Sequence, residues 1–126
     1  MRKMVRERTK KLCAALGSEL TADFSLVLTD DKEIHKLNLQ YRKKDKPTDV
    51  LSFPSGMENY LGDLMISVET AKVQAKEYRC SLIDELTRLV THGLLHLLGY
   101  EHEKVSPAVA KKMRKKEELL MNELLG

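Results

Sequence analysis

From Leu82 to Leu98 the chain is apolar almost all the way round a helix, with Leu82, Ile83, Leu86, Leu89, Val90, Leu94, Leu95, Leu97 and Leu98 leaving no broad polar face. Ser81, with Asp84 three positions on, is suited to cap the start, and Gly99 supplies a stop. A helix of this kind cannot lie on a surface, so it must pass through the core with the other elements packed around it. The same helix carries His92 and His96 at its far end, so polar groups are being delivered into the most apolar part of the protein.

The remaining pattern supplies elements to surround it. Met1, Met4, Val5, Leu12, Cys13 and Leu16 fall near helical spacing, and Gly17 ends that first helix. In "DFSLVLT" Phe24, Leu26 and Leu28 alternate with Ser25, Val27 and Thr29, which predicts a strand covered at least in part on both faces. Asp30 and Glu33 form an acidic variant of the capping box before a helix whose buried stripe is Ile34, Leu37 and Tyr41. Val50 to Phe53 and "YLGDLMISV" read as two strands forming an antiparallel pair. Ser67 caps a helix running to about Tyr78, and Ser106 with Pro107 starts a closing helix carrying Val109, Met113, Leu120 and Leu124. The order is helix, strand, helix, two strands, then three helices, which predicts one α+β domain over residues 1–126 with a small mixed sheet surrounded by helices.

Composition narrows the setting. Charged residues make up 33% of the chain and hydrophobic ones 42%, a balance that folds rather than stays disordered. No run approaches the ~20 apolar residues needed to span a bilayer, and the charged opening "MRKMVRERTKKLCAALG" is unlike a secretory signal, so a cytoplasmic protein without membrane partners is expected. Cys13 and Cys80 have no paired spacing and read as buried thiols.

"THGLLHLLGYEHE" holds three of the four histidines. Residues four apart lie one above the other on a helix, so His92 and His96 can aim at one point, and Gly99 can turn the chain so that His102 returns to it. Three neutral imidazoles suit zinc at about 2.0–2.1 Å and leave a fourth position for water, as in a catalytic site. The alternative is a pair of ordinary helix-end histidines bonded to backbone carbonyls. The third histidine weighs against it, because this set of offsets beside a glycine arises by chance about once in ten thousand starting histidines. The spacing matches the metzincin pattern H-E-x-x-H-x-x-G-x-x-H, except that Gly93 stands where those peptidases carry their glutamate base. Peptide hydrolysis would need a base from elsewhere.

Net charge is +3, a mild bias toward anionic partners, with lysine and arginine concentrated in "YRKKDKP" and "KKMRKK". Either run can be a solvated face or a phosphate-binding patch, and "KKMRKK" is read as a solvated face. From spacing alone Arg42 reads as a surface ion pair with Asp45, His35 as an ordinary surface or half-buried residue, and Glu103 as part of a solvated turn. Glu101 is open between a solvated turn and a contact that orients a histidine.

At this point the chain resembles the YbeY endoribonucleases. "HGLLHLLGYEH" is similar to their H-G-x-L-H-L-x-G-Y-D-H signature, and "NLQYRKKDKPTDVLSFP", from Asn38 to Pro54, is similar to N-x-x-Y-R-x-x-D-x-P-T-D-V-L-S-F-P. "LGD" at 61–63 adds a third element. The resemblance implies an α+β fold and a zinc-dependent, single-strand endoribonuclease acting in ribosomal RNA maturation and ribosome quality control, with RNA and the ribosome as partners. It places the metal triad on His92, His96 and His102 and a functionally important arginine on Arg42. Glu101 replaces the usual aspartate, and the chain opens on a helix where family members commonly open on a strand, which implies a sheet one strand smaller.

For RNA cleavage, a histidine-bound zinc can polarise a phosphoryl oxygen and lower the pKa of its water to about 7. The planar fork of Arg42 suits a phosphate, and Lys43, Lys44 and Lys46 would add salt-sensitive attraction for the backbone of a single strand. Aromatic residues are 5% of the chain with no tryptophan, so selectivity is expected from shape, backbone and a partner rather than from base stacking. Two other readings stay open: a hydrolase acting on a peptide or another ester, and a ribosome-associated binding module with a structural metal.

Overall fold

The computed structural model describes residues 1–100 and 105–125. Its elements are α1 (Arg2–Leu16), a 3-10 turn at Gly17–Glu19, β1 (Asp23–Thr29), α2 (Asp31–Arg42), β2 (Val50–Met57), β3 (Tyr60–Ser67), α3 (Val68–Glu77), α4 (Leu82–Leu97) and α5 (Pro107–Leu125). Three of the starts are capped as the sequence predicts. Asp30 accepts from the Glu33 N–H, Ser67 from that of Thr70 and Ser81 from that of Asp84. Each cap satisfies an amide that the first helical turn leaves without a partner.

The strands form one mixed sheet in the order β1-β3-β2, with β1 parallel and β2 antiparallel to the central β3. Side-chain alternation splits its two faces. Leu64 and Ile66 are fully buried in the main core with Leu86, Leu89, Val90, Leu94 and Leu95 of α4. Leu51 alternates with its neighbour Val50 to the opposite face, which α2 covers with the fully buried Ile34. Val5, Leu12 and Leu16 of α1 and Met113, Leu120 and Leu124 of α5 complete the main core, so α4 is enclosed as expected.

Several expectations for single residues are corrected. Val27 is exposed because α2 packs over β2 and β3 and does not cover β1, so the edge strand is less covered than its composition suggested. Tyr41 is exposed and meets Phe53 only edge-on, while Asn38 takes the interior position and donates from Nδ2 to the Lys46 carbonyl at 2.9 Å. Met1, Met4 and Val109 also face outward. Neither cysteine is buried: Cys13 is half-buried and Cys80 is exposed just before α4. Partial burial still pushes the Cys13 thiol above its usual range.

Candidate metal centre

The functional end of α4 is built by close packing. A Cβ added at Gly93 would meet Leu64 Cδ2 at 2.9 Å, Val50 Cγ2 at 3.2 Å and Ser52 Oγ at 3.3 Å. Ser52 also donates from its hydroxyl to the Gly93 carbonyl at 3.2 Å. The glycine is therefore where β2 and β3 lie directly on the helix, and a side chain at this position would require Leu64, Val50 and Ser52 to shift.

His92 and His96 stand one turn apart with ring centroids 4.9 Å apart and planes at 73°. Both line a cleft of about 550 Å3 with Arg42, Thr48, Asp49, Ser52 and Arg88. Arg42 is delivered from the end of α2. The helix stops there because Lys43 adopts the left-handed conformation (φ 59°), with its amide and that of Lys44 returning to the Asn38 carbonyl. The loop then enters β2 past Asp49, whose carboxylate accepts from the Val50 amide at 2.7 Å and from Gln74 Nε2 at 3.2 Å. The end of α2, the loop after it, β2 and α4 thus meet at the cleft.

Behind the histidines runs a chain of charges. Glu85 is buried and takes a two-pronged contact from Arg88, Nε to Oε1 at 2.9 Å and a terminal nitrogen to Oε2 at 2.7 Å. The Glu85 hydrogen bonds hold the Arg88 guanidinium well above its ordinary pKa, so it stays charged despite partial burial. The other terminal nitrogen of Arg88 lies 3.9 Å from Glu117 Oε1 on α5, and Glu117 Oε2 lies 3.3 Å from His92 Nδ1. Imidazole nitrogens one turn apart at an open, polar cleft fit a metal such as zinc.

The family model for endoribonuclease YbeY matches residues 1–125. The chain belongs to the YbeY family. YbeY relatives include the endoribonuclease YbeY of Aquifex aeolicus, 50% identical over 88% of this chain and 75% of its own length. That of Picosynechococcus is 53% identical over 76% of this chain and 63% of its own, and that of Myxococcus xanthus 51% identical over 80% and 36%. The chain thus spans about a third to three quarters of these YbeY proteins. The solution structure of TM1509 from Thermotoga maritima superposes with a TM-score of 0.73 at 31% identity, covering 98% of this chain and 82% of that one. The α+β architecture with one small mixed sheet is shared with that structure.

Of the residues expected at a YbeY site, Arg42, His92 and His96 come together in one cleft. His102 lies outside the described residues, as do Glu101 and Glu103. Among the described residues no group of three His, Cys, Asp or Glu side chains is arranged to hold a metal ion. Lys43, Lys44 and Lys46 are exposed on the turn that follows Arg42. Asp45 pairs with His35 (Nε2 to Oδ1, 2.7 Å) and not with Arg42, so the ion-pair reading of Arg42 is corrected, and His35 gains a specific partner. In "KKMRKK" Met113 is buried and Lys116 reaches Glu19 at 2.7 Å, while Lys111, Lys112, Arg114 and Lys115 are exposed, as a solvated face requires. Sequence reasoning missed Arg88, Asp49 and Glu117. The neighbourhood of "TDV" in the resemblance pointed to Asp49, whereas Glu117 carries no local signal.

Proposed function

We propose that this chain is a metal-dependent endoribonuclease that cuts single-stranded RNA, using one zinc ion held by His92, His96 and His102 with water in the fourth position. The observation that carries the reading is the shared cleft: Arg42 from α2 and the imidazoles of α4 face the same solvent-open space. The printed name of the relatives, endoribonuclease, supports the reaction class.

Arg42 presents a fork of donors to the non-bridging oxygens of a phosphodiester and holds the scissile group against the histidine face. The same guanidinium offsets the charge that grows on the phosphoryl oxygens as the bond breaks. Zinc, when bound, supplies Lewis acidity at a phosphoryl oxygen and a more acidic water. The exposed lysines at 43, 44 and 46 draw the strand along the turn leading into the cleft. Gly93 supports RNA over peptide, because it stands where the metzincin arrangement carries its carboxylate base.

Ribosomal RNA is the proposed substrate, the ribosome the partner, and maturation and quality control of ribosomes in the cytoplasm the setting. No helix among the described residues is long and apolar enough to cross a membrane. The test is cleavage of single-stranded RNA and of ribosomal RNA precursors by wild type, Arg42→Ala and a variant with all three histidines changed to alanine, each with its bound metal quantified. Metal-bearing wild type should cut, Arg42→Ala should cut far more slowly, and the triple-histidine variant should not cut. Equal cleavage by all three would end the proposal.

A further inference from the structure

α5 brings a carboxylate to the back of the histidine pair from a position that its own pattern reserves for packing. Glu117 falls four residues after Met113 and three before Leu120, both buried, so it sits on the inward stripe of the helix. Its side chain is only 17% exposed. A charge placed there without partners would be costly, and the structure provides two. Oε2 approaches His92 Nδ1 at 3.3 Å, and Oε1, which makes no hydrogen bond, lies 3.9 Å from Arg88. Arg88 is itself fixed by the two-pronged contact with buried Glu85. The carboxylate is therefore held from one side by an anchored cation and offered on the other to an imidazole.

We propose that Glu117 is the positioning residue of the metal centre: it accepts the Nδ1 proton of His92, fixes the ring, and leaves Nε2 as the nitrogen turned to the metal. This rests on the metal reading above. A ligand histidine whose second nitrogen is bound by a carboxylate has one tautomer selected and its ring orientation locked, and it becomes a better donor. The Glu85–Arg88 pair acts one step further back, by holding Glu117 in place. Helix α5, which follows the histidine segment in sequence, thus brings a carboxylate to His92 from outside "HGLLHLLGYEH".

The experiment compares wild type, Glu117→Gln, Glu117→Leu and His92→Ala as full-length chains. Zinc affinity is measured by competition with a chromophoric chelator, and the His92 tautomer by 15N NMR of the metal-free proteins at a pH where imidazole is neutral. Glu117→Leu should weaken zinc binding about 10- to 100-fold, with a smaller loss for Glu117→Gln, whose amide oxygen can still accept. The Nδ1–H tautomer should dominate in wild type and lose population in Glu117→Leu, with a thermal midpoint showing that the variant is folded. Unchanged affinity and an unchanged tautomer in folded Glu117→Leu overturn the assignment. A wild type that binds no zinc defeats the metal reading instead, and the tautomer measurement, which needs no metal, then decides by itself whether Glu117 orients His92.

Discussion

Two hollows among the described residues are of similar size and differ in what lines them. The groove between α1 and β1, about 620 Å3, has apolar walls from Val5, Phe24, Leu26 and Leu28 and a cationic rim from Arg2, Arg6 and Lys10. The cleft at the end of α4, about 550 Å3, gathers His92, His96, Arg42, Asp49 and Arg88 from several elements. Space and positive charge are present in both. Of the two, the cleft alone sets imidazoles, two guanidiniums and a carboxylate against one another, and that convergence is what chemistry requires. The groove shows that a larger hollow beside an edge strand follows from incomplete covering of β1 and needs no reaction to explain it.

The sharpest way to break this comparison is to remove a histidine. His92→Ala should reduce RNA cleavage to background in a discontinuous gel assay, whereas Val27→Thr at the groove should leave the rate within about twofold, as surface changes away from a site usually do. A groove variant as damaging as the histidine variant would show that the two hollows act together.

A charge-matched pair is the next test. Arg42→Ala is expected to lower kcat about 100- to 1,000-fold through loss of a donor at the developing charge, while Arg6→Ala lowers it by less than about twofold. Both should weaken RNA binding slightly at low salt, and only the first should slow single-turnover cleavage at saturating RNA. Equal effects on turnover would reduce Arg42 to one cation among many.

Packing distinguishes the regions at the scale of stability. Gly93→Ala should destabilise by roughly 1–3 kcal/mol in urea unfolding, because overpacking against Leu64 and Val50 outweighs the roughly 1 kcal/mol by which alanine favours a helix. A neutral or stabilising result would mean that β2 can retreat from α4 and that the close approach does not by itself exclude a side chain.

The smallest effect is expected at the surface. The Lys116 hydrogen bond lowers the Glu19 pKa, and the same bond raises that of Lys116. The depressed carboxylate contributes stability that is present above its unfolded pKa and is lost as pH falls through the folded one. The raised ammonium contributes stability that is present below its unfolded pKa and is lost as pH rises through the folded one. Glu19 is exposed and Lys116 half-buried at the surface, so Glu19→Gln should cost no more than about 1 kcal/mol near neutral pH, and less in high salt. A larger loss in thermal melts would show that the link from the 3-10 turn to α5 carries more of the fold than its exposure suggests.

The sequence by itself determined whatever depends on residues within a turn of one another. Capping at Asp30, Ser67 and Ser81, the enclosure of α4, the antiparallel pairing of β2 with β3 and the alignment of His92 with His96 all follow from local spacing. Tertiary structure alone decided the rest. It set β1 against β3, left Val27 open, gave Asp45 to His35 and so left Arg42 facing the cleft, and carried Glu117 to His92. Periodicity states which face of a helix is buried but not which neighbour covers it. Contacts between residues far apart in the chain are settled only when all the elements pack together around α4.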